Sequence, residues 1–432
     1  MRCSQRRAGI IAMILVIAMC LSSFYCYAEE IEESDKNRVT TSEKKITGTK
    51  ASSREKLYTK LKNKIESFDT NSDGRTYEID VSEYGLTKDT YKNAIKGFFY
   101  SQPQLVYMSN NCSVYTKTGT NKITKIKLYL AYDKSTAKSM KKKIDSALAT
   151  AKKQVSSSMT AEEKALAIHE YLASSVSYDS KMSDKHAWDL YGAMVKKKAV
   201  CEGYSEAYQY IMQSLGVQTR VATSTNSNHA WNVIKIGDKW YHVDVLFDDT
   251  QIPGGIQHNY FLLSTKTMLK ETPKRKDYTV RNFSSVKYSD ATSTKYESSF
   301  WVKSKSKICH YGGYWYYSDK SKFKIVKYNY KTKKSRNIAY NKSLRWKVIG
   351  SKSSYYTGSY SYLASSSNKL YYTTPTTVHR YDMKTGKDKT IAKSSYTKGR
   401  IYGIKATSNY VTYLLKAKPY RATKKTVKVK AN

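Results

Sequence analysis

Acidic residues are scarce in this chain of 432 residues: 35 Asp and Glu stand against 76 Lys and Arg, a formal net charge of +41. Such a field attracts polyanions and also keeps an aromatic surface soluble. No nucleic-acid-binding motif accompanies it, so the expected polyanion is a cell-wall polymer or an anionic membrane surface, with no nucleic acid. Cysteine is scarce as well, six in all, of which Cys3, Cys20 and Cys26 fall in the first 28 residues. The remaining Cys112, Cys201 and Cys309 exclude a disulfide framework, although Cys112 and Cys309 could pair or stand as buried thiols. Long apolar runs are missing beyond one, Ile10 to Leu21, which is short for a bilayer. It follows Arg2, Arg6 and Arg7 and precedes Cys26-Tyr27-Ala28, with small residues at −3 and −1 of a cleavage site. Residues 1–28 therefore read as a signal peptide, and the protein as secreted, with no membrane span after cleavage.

What is there divides by pattern. Residues 29–53 are polar and read as a linker without a core. From 54 to 157, Leu57, Leu61, Ile65 and Phe68 at helical spacing, alternating Tyr77, Ile79 and Val81, and strands near 105–108, 113–115 and 123–132 read as a small N-terminal α+β module. Its helices run from Lys88 to Tyr100 behind Thr87 and from Thr136 to Val155. Within it, Asp69, Asn71, Asp73, Gly74 and Asp80 have the spacing of a calcium loop, but position 12 is Asp rather than Glu and a strand follows the glycine. An Asn/Asp/Gly turn is the expectation, and no metal or cofactor is assigned. Thr160-Ala-Glu-Glu163 is a capping box starting a helix with Leu166, Ile168 and Leu172; His169 on it reads as a surface or core histidine. A helical stretch through Trp188, Leu190, Ala193 and Met194 follows the loop at Tyr178-Asp179.

Residues 300–432 are rich in Tyr, Lys and Ser. Tyr316-Tyr-Ser, Ile325 to Thr332 and Arg336 to Ala339 are echoed by Tyr371-Tyr-Thr, Val378 to Thr385 and Lys389 to Ala392, with a partial third copy. The period is typical of four-stranded, propeller-like β units, and too few copies are present to close a propeller. An open sheet or sandwich-like all-β module is expected.

Chemistry concentrates between Val200 and Asp249. Cys201 opens a helix in which Tyr204, Tyr208, Ile211, Met212 and Leu215 recur at three- and four-residue steps until Gly216. At a helix N-terminus the dipole and unpaired amides favour a thiolate and can face an oxyanion. Strands Ala230 to Ile236 and Lys239 to Leu246 flank Gly237-Asp238, a two-residue turn with Gly first. That turn pairs Ile236 with Lys239 and Trp231 with Asp244, which makes His229 and Asp244 diagonal neighbours on one face; a three-residue turn would separate them. His242, two residues before Asp244 on the same strand, points parallel to it and is the poorer base.

Val200-Cys-Glu-Gly-Tyr-Ser-Glu-Ala207, His229-Ala-Trp-Asn-Val233 and Trp240-Tyr-His-Val-Asp-Val245 resemble the core of the transglutaminase-like superfamily. The resemblance covers Thr160 to Ser264 and departs from many bacterial relatives at Leu246-Phe247. It implies a papain-like α+β core over 158–290, a Cys-bearing helix packed on an antiparallel sheet, with Cys201 as nucleophile, His229 as base and Asp244 as the acid that orients it. The second oxyanion donor is left unassigned, with Trp188 and Tyr178 as the candidates. The segment Ser101 to Tyr107 is similar to one that precedes such cores in exported Gram-positive proteins. The implied activity is attack on a protein or peptide amide through a Cys thioester, as peptidase or amidase with water, or as a cross-linking acyltransferase with an amine. The alternative is a catalytically silent wall-binding or scaffold protein that uses the basic β repeats.

Overall fold

The computed structural model describes residues 28–33, 50–284, 286–340, 361–395, 400–416 and 425–431; the signal-like run lies outside them. Among the described residues no helix is long and apolar enough to cross a membrane.

Strand β1 (Ala28–Glu33) precedes helix α1 (Lys50–Glu66), whose Leu57, Leu61 and Ile65 are buried as their spacing requires. Strand β2 (Thr76–Asp80), helix α2 (Tyr91–Ser101), strands β3 (Met108–Lys117) and β4 (Ile123–Leu130) and helix α3 (Lys134–Lys152) complete this part. The sheet order is β1-β3-β4-β2, with β1 parallel to β3. The polar segment expected as a linker over 29–53 thus carries a strand at its start and the first turn of α1 at its end. An added edge strand needs only backbone donors and acceptors, which a polar sequence supplies without any hydrophobic pattern. The two short strands expected at 105–108 and 113–115 are one strand, irregular between Met108 and Cys112. The Asp69–Asp80 loop is closed by its own hydrogen bonds: Asp73 Oδ1 accepts from the Arg75 and Thr76 amides at 2.8 and 2.9 Å, and Asp69 pairs with Lys64.

Helix α4 (Ala161–Ser175) begins with the full capping box between Thr160 and Glu163. Strands β5 (Ser177–Tyr178) and β6 (Lys198–Ala199) pair in parallel. Between them, the helix expected through Trp188 to Met194 is instead a 3-10 turn, Lys185–Trp188, and a π turn, Gly192–Lys196. Asp184 and Asp189 explain the break, because their carboxylates take the amides of His186, and of Tyr191 and Gly192, away from a continuous helix. Helix α5 (Cys201–Ser214) follows and ends at Gly216, φ +79°. It packs across β7 (Thr219–Ser224) and β8 (His229–Ile236), which continue into β9 (Lys239–Val243). A helical turn α6 (Val245–Asp248), the hairpin β10 (Asp249–Ile252) and β11 (Gly255–Ile256), strand β12 (Phe261–Leu263), helix α7 (Thr265–Glu271) and β13 (Thr279–Val280) close the core. Its antiparallel sheet runs β12-β9-β8-β7-β13.

Beyond it lie three separate antiparallel meanders. The first joins β14 (Cys309–Tyr311), β15 (Tyr314–Asp319), β16 (Lys324–Tyr328) and β17 (Ser335–Tyr340). The second joins β18 (Leu363–Ser366), β19 (Lys369–Thr373), β20 (Thr377–Asp382) and β21 (Asp388–Lys393). The third has β22 (Arg400–Ala406), β23 (Tyr410–Lys416) and β24 (Lys425–Lys430). The repeated motifs fall on equivalent strands, and the first strands β14, β18 and β22 touch in succession. The all-β module expected here is thus three antiparallel sheets in contact through their first strands. The fold is α+β with an all-β C-terminal part, and one buried cluster runs from α1 through α5 to Trp315 and Val326 of the first meander.

Candidate active site

Val200, extended at φ −98°, caps α5 with no side-chain bond, and its amide donates to the Ala187 carbonyl at 2.8 Å. The first intrahelical bond runs from the Tyr204 amide to the Val200 carbonyl, so Cys201 stands in the first turn of α5. Cys201 is half-buried and outside any disulfide. Gly203 is required here: a Cβ would come within 2.8 to 2.9 Å of the Asp189 and Ala187 carbonyls. Cys309 is likewise not in a disulfide, and burial pushes its thiol pKa up; Cys112 is disulfide-bonded, so the pairing of these two is excluded.

The register expectation is met. Gly237 has φ +61°, Ile236 pairs with Lys239 and Asn232 with Val243. His229 and Asp244 consequently share a face, and His229 Nε2 donates to Asp244 Oδ2 at 2.7 Å, with 6% and 2% of the two residues exposed. The ring's Nδ1 is left as its remaining acceptor. The strand expected to Leu246 stops at Val243, because Asp244 turns into a cap for α6, Oδ1 accepting from the Phe247 amide at 3.0 Å. Asn232 of β8 ties the dyad's strand to the helix: its Nδ2 donates to the Ser205 carbonyl at 2.9 Å, and Ser205 Oγ donates to the Cys201 carbonyl at 2.8 Å.

Two residues that sequence reading missed come from a single 3-10 turn, Pro273–Asp277. Arg275, 1% exposed, donates from Nη2 to the same Asp244 oxygen at 2.6 Å and lies over the rings of Trp231 and Phe247 at 4.5 and 4.4 Å. Asp277 accepts from Ser224 Oγ at 2.6 Å and from the Asn226 amide at 2.9 Å, which fixes the loop entering His229. In sequence Arg275 is one cation among Lys274, Lys276 and Lys270, with no spacing to single it out.

The electrostatics follow from burial and these partners. Burial lowers the His229 pKa, Asp244 pulls it back up and Arg275 lowers it again, leaving it below its ordinary 6.5. For Asp244, burial opposes ionisation, but His229 and Arg275 overcome it and hold the carboxylate ionised far below its usual range. His242 is disposed of as rival base. Trp231 Nε1 donates to its Nδ1 at 2.9 Å, its Nε2 bonds Thr265 Oγ1 at 3.0 Å, and burial drives its pKa down to about 3. Trp188 and Tyr178, both half-buried, flank Val200 on the 3-10 turn and on β5. Phe247, at the Leu246-Phe247 departure, packs its ring 4.4 Å from that of His229 while 40% exposed. His169 is a core residue and not a surface one: burial opposes its protonation, but Asp248 and Glu170 outweigh it and raise its pKa to about 9.

Residues 148–245 match the family model of the transglutaminase-like superfamily, a span that contains Cys201, His229 and Asp244. This stretch is a transglutaminase-like domain. No curated protein matches the chain significantly. Among solved structures, one described as a TGase is 17% identical over 40% of this chain, with a TM-score of 0.20. A candidate cysteine protease from Cytophaga hutchinsonii is 19% identical over 24% of this chain, with a TM-score of 0.21. The chain spans 52% and 37% of those two structures' own lengths. The N-terminal domain of Nup159 is 10% identical over 48% of this chain and 44% of its own, with a TM-score of 0.19. The transglutaminase-like domain thus rests on the family model, and the geometry of its three polar residues rests on this structure.

Proposed function

We propose that the protein is a papain-like thiol enzyme that acts on protein or peptide amides, exported and held near anionic wall polymers by its basic chain. The observation that carries this reading is the 2.7 Å His229–Asp244 bond on the strand packed beneath the helix that Cys201 opens. Cys201 gives its proton to His229 Nδ1 and attacks the amide carbonyl; the tetrahedral oxyanion is met by amides of the first turn of α5. The C–N bond breaks, the amine leaves with the proton from His229, and the acyl group remains as a thioester on Cys201. An acceptor, water or an amine, then gives its proton to His229, attacks the thioester and releases the thiol. Asp244 fixes the ring so that Nε2 keeps its hydrogen and Nδ1 works as the base.

The test is to incubate the protein with glutamine-containing peptides, with and without a primary amine, beside Cys201→Ala. Release of ammonia or a cleaved peptide by the parent alone supports the reading, and incorporated amine identifies the acceptor. Equal product from both proteins refutes it.

A further inference from the structure

A second polar cluster lies behind the dyad and takes no part in the steps above. His169 and Glu170 come from α4, Asp248 from the end of α6, and His258 from the segment between β11 and β12; all four are at most 3% exposed. His169 Nδ1 and His258 Nε2 both point at Glu170 Oε1, at 3.2 and 2.7 Å, and one donor atom from each of these three residues lies within 4.8 Å of the others. Each residue's outer atom is separately held. His169 Nε2 meets Asp248 Oδ2 at 3.2 Å, His258 Nδ1 meets the Ser304 carbonyl at 3.4 Å, and Glu170 Oε2 accepts from the Ile308 amide at 2.7 Å. Asp248 is fixed in turn by the Asn259 and Tyr260 amides.

That arrangement has the form of a metal centre with its supporting shell. Ligating histidines turn their far N–H to a carboxylate or a carbonyl, and a ligating carboxylate takes a hydrogen bond on its other oxygen. Each of these rings has both nitrogens held in fixed directions by an oxygen. One divalent cation at the inner point engages all three inner atoms, leaves each ring its single N–H for the outer acceptor, and offsets the charges of Glu170 and Asp248. We propose that His169 Nδ1, Glu170 Oε1 and His258 Nε2 form a buried three-ligand site for a divalent transition metal, its fourth position left to water. Two imidazoles and one carboxylate oxygen suit zinc and not calcium or magnesium, which want oxygen ligands throughout. Tetrahedral zinc bonds of about 2.0–2.1 Å set donors about 3.3 Å apart. The 3.2 Å pair already fits and the 2.7 Å pair opens slightly. The site would fasten α4 to the segment beyond β11 and, through Ser304 and Ile308, to the approach to the first meander.

The experiment is to purify the full chain without chelator, incubate it with zinc sulfate, desalt it and measure zinc by mass spectrometry, beside His258→Gln, Glu170→Gln and Cys201→Ala. About one zinc per chain is expected in the parent and in Cys201→Ala, with at least a tenfold fall in the two cluster variants. X-ray absorption of the parent, which needs no variant to fold, is expected to show imidazole and oxygen ligation without sulfur. Metal-free parent protein overturns the proposal, as does sulfur ligation or zinc lost only from Cys201→Ala. None of these results depends on whether the thiol turns over substrate.

Discussion

Removing the Arg275 charge raises the pKa of His229. Arg275 Nη2 and His229 Nε2 lie on one Asp244 oxygen at 2.6 and 2.7 Å, so the two nitrogens are no more than about 5 Å apart. At that separation and an effective dielectric near 20, the repulsion between guanidinium and imidazolium is about 3 kcal/mol, a ceiling of about two pKa units. The expected shift for Arg275→Gln is about one to two units upward. The measurement is an NMR titration of the His229 ring in a Cys201→Ala background, which removes coupling to the thiol. The ring titrates below 6.5 when Arg275 is present, because burial and the guanidinium together outweigh Asp244. Arg275→Lys keeps the charge and keeps the midpoint low, which separates electrostatics from repacking between Trp231 and Phe247. A midpoint at or above 6.5 in the parent refutes the reasoning, as does an equal upward shift in the Gln and Lys variants.

Three further outcomes are expected. Iodoacetamide near neutral pH labels Cys201 and spares Cys309, whose thiol is buried and raised in pKa; mass mapping that finds equal labelling in the folded chain contradicts the assignment. Gly203→Ala forces the Asp189 and Ala187 carbonyls away from the first turn of α5, at a cost of about 1–3 kcal/mol by overpacking, and an unchanged denaturation midpoint would show that the turn yields freely. Acid weakens the fold through His229 and His242: both have folded pKa values below 6.5, so their contribution is whole above 6.5 and is lost as the pH falls through the folded values, for His242 down to about 3. A melting temperature that stays flat from pH 7 to pH 4 runs against this, and His242→Gln should shrink the slope.

The local parts of the site were legible because each rests on a short-range rule. A helix that starts at Cys201 and stops at Gly216, a two-residue turn at Gly237-Asp238 and the parity of the strands beside it suffice to put His229 against Asp244. The repeat period likewise located two four-stranded units, since each copy fills one meander. What escaped has no local signature. Arg275 reaches Asp244 across 31 positions, and His258 reaches Glu170 across 88, through contacts that exist only after the chain has closed. Strand β1 escaped because pairing with β3 uses backbone groups, and the break at Trp188 because Asp184 and Asp189 spend their carboxylates on nearby amides.

The shortage of acidic residues acquires a structural reading from where they are used. Glu162 accepts from Tyr330 Oη, Glu163 from Trp315 Nε1 and Glu170 from the Ile308 amide, so three carboxylates of α4 anchor the start of the β repeats. Glu202 and Glu206 of α5 both hold Arg281, whose guanidinium lies 4.5 Å from the Tyr100 ring of α2. Asp244, Asp248 and Asp179 are buried outright. Carboxylates drawn inward to junctions and to the site cannot neutralise surface lysines, so the excess of 76 cations over 35 anions is displayed more strongly outside than the count alone implies. A field of that sign attracts polyanions in general, while Asp244 and Arg275 cancel beside His229. The surface charge is thereby kept apart from the charge balance beside His229.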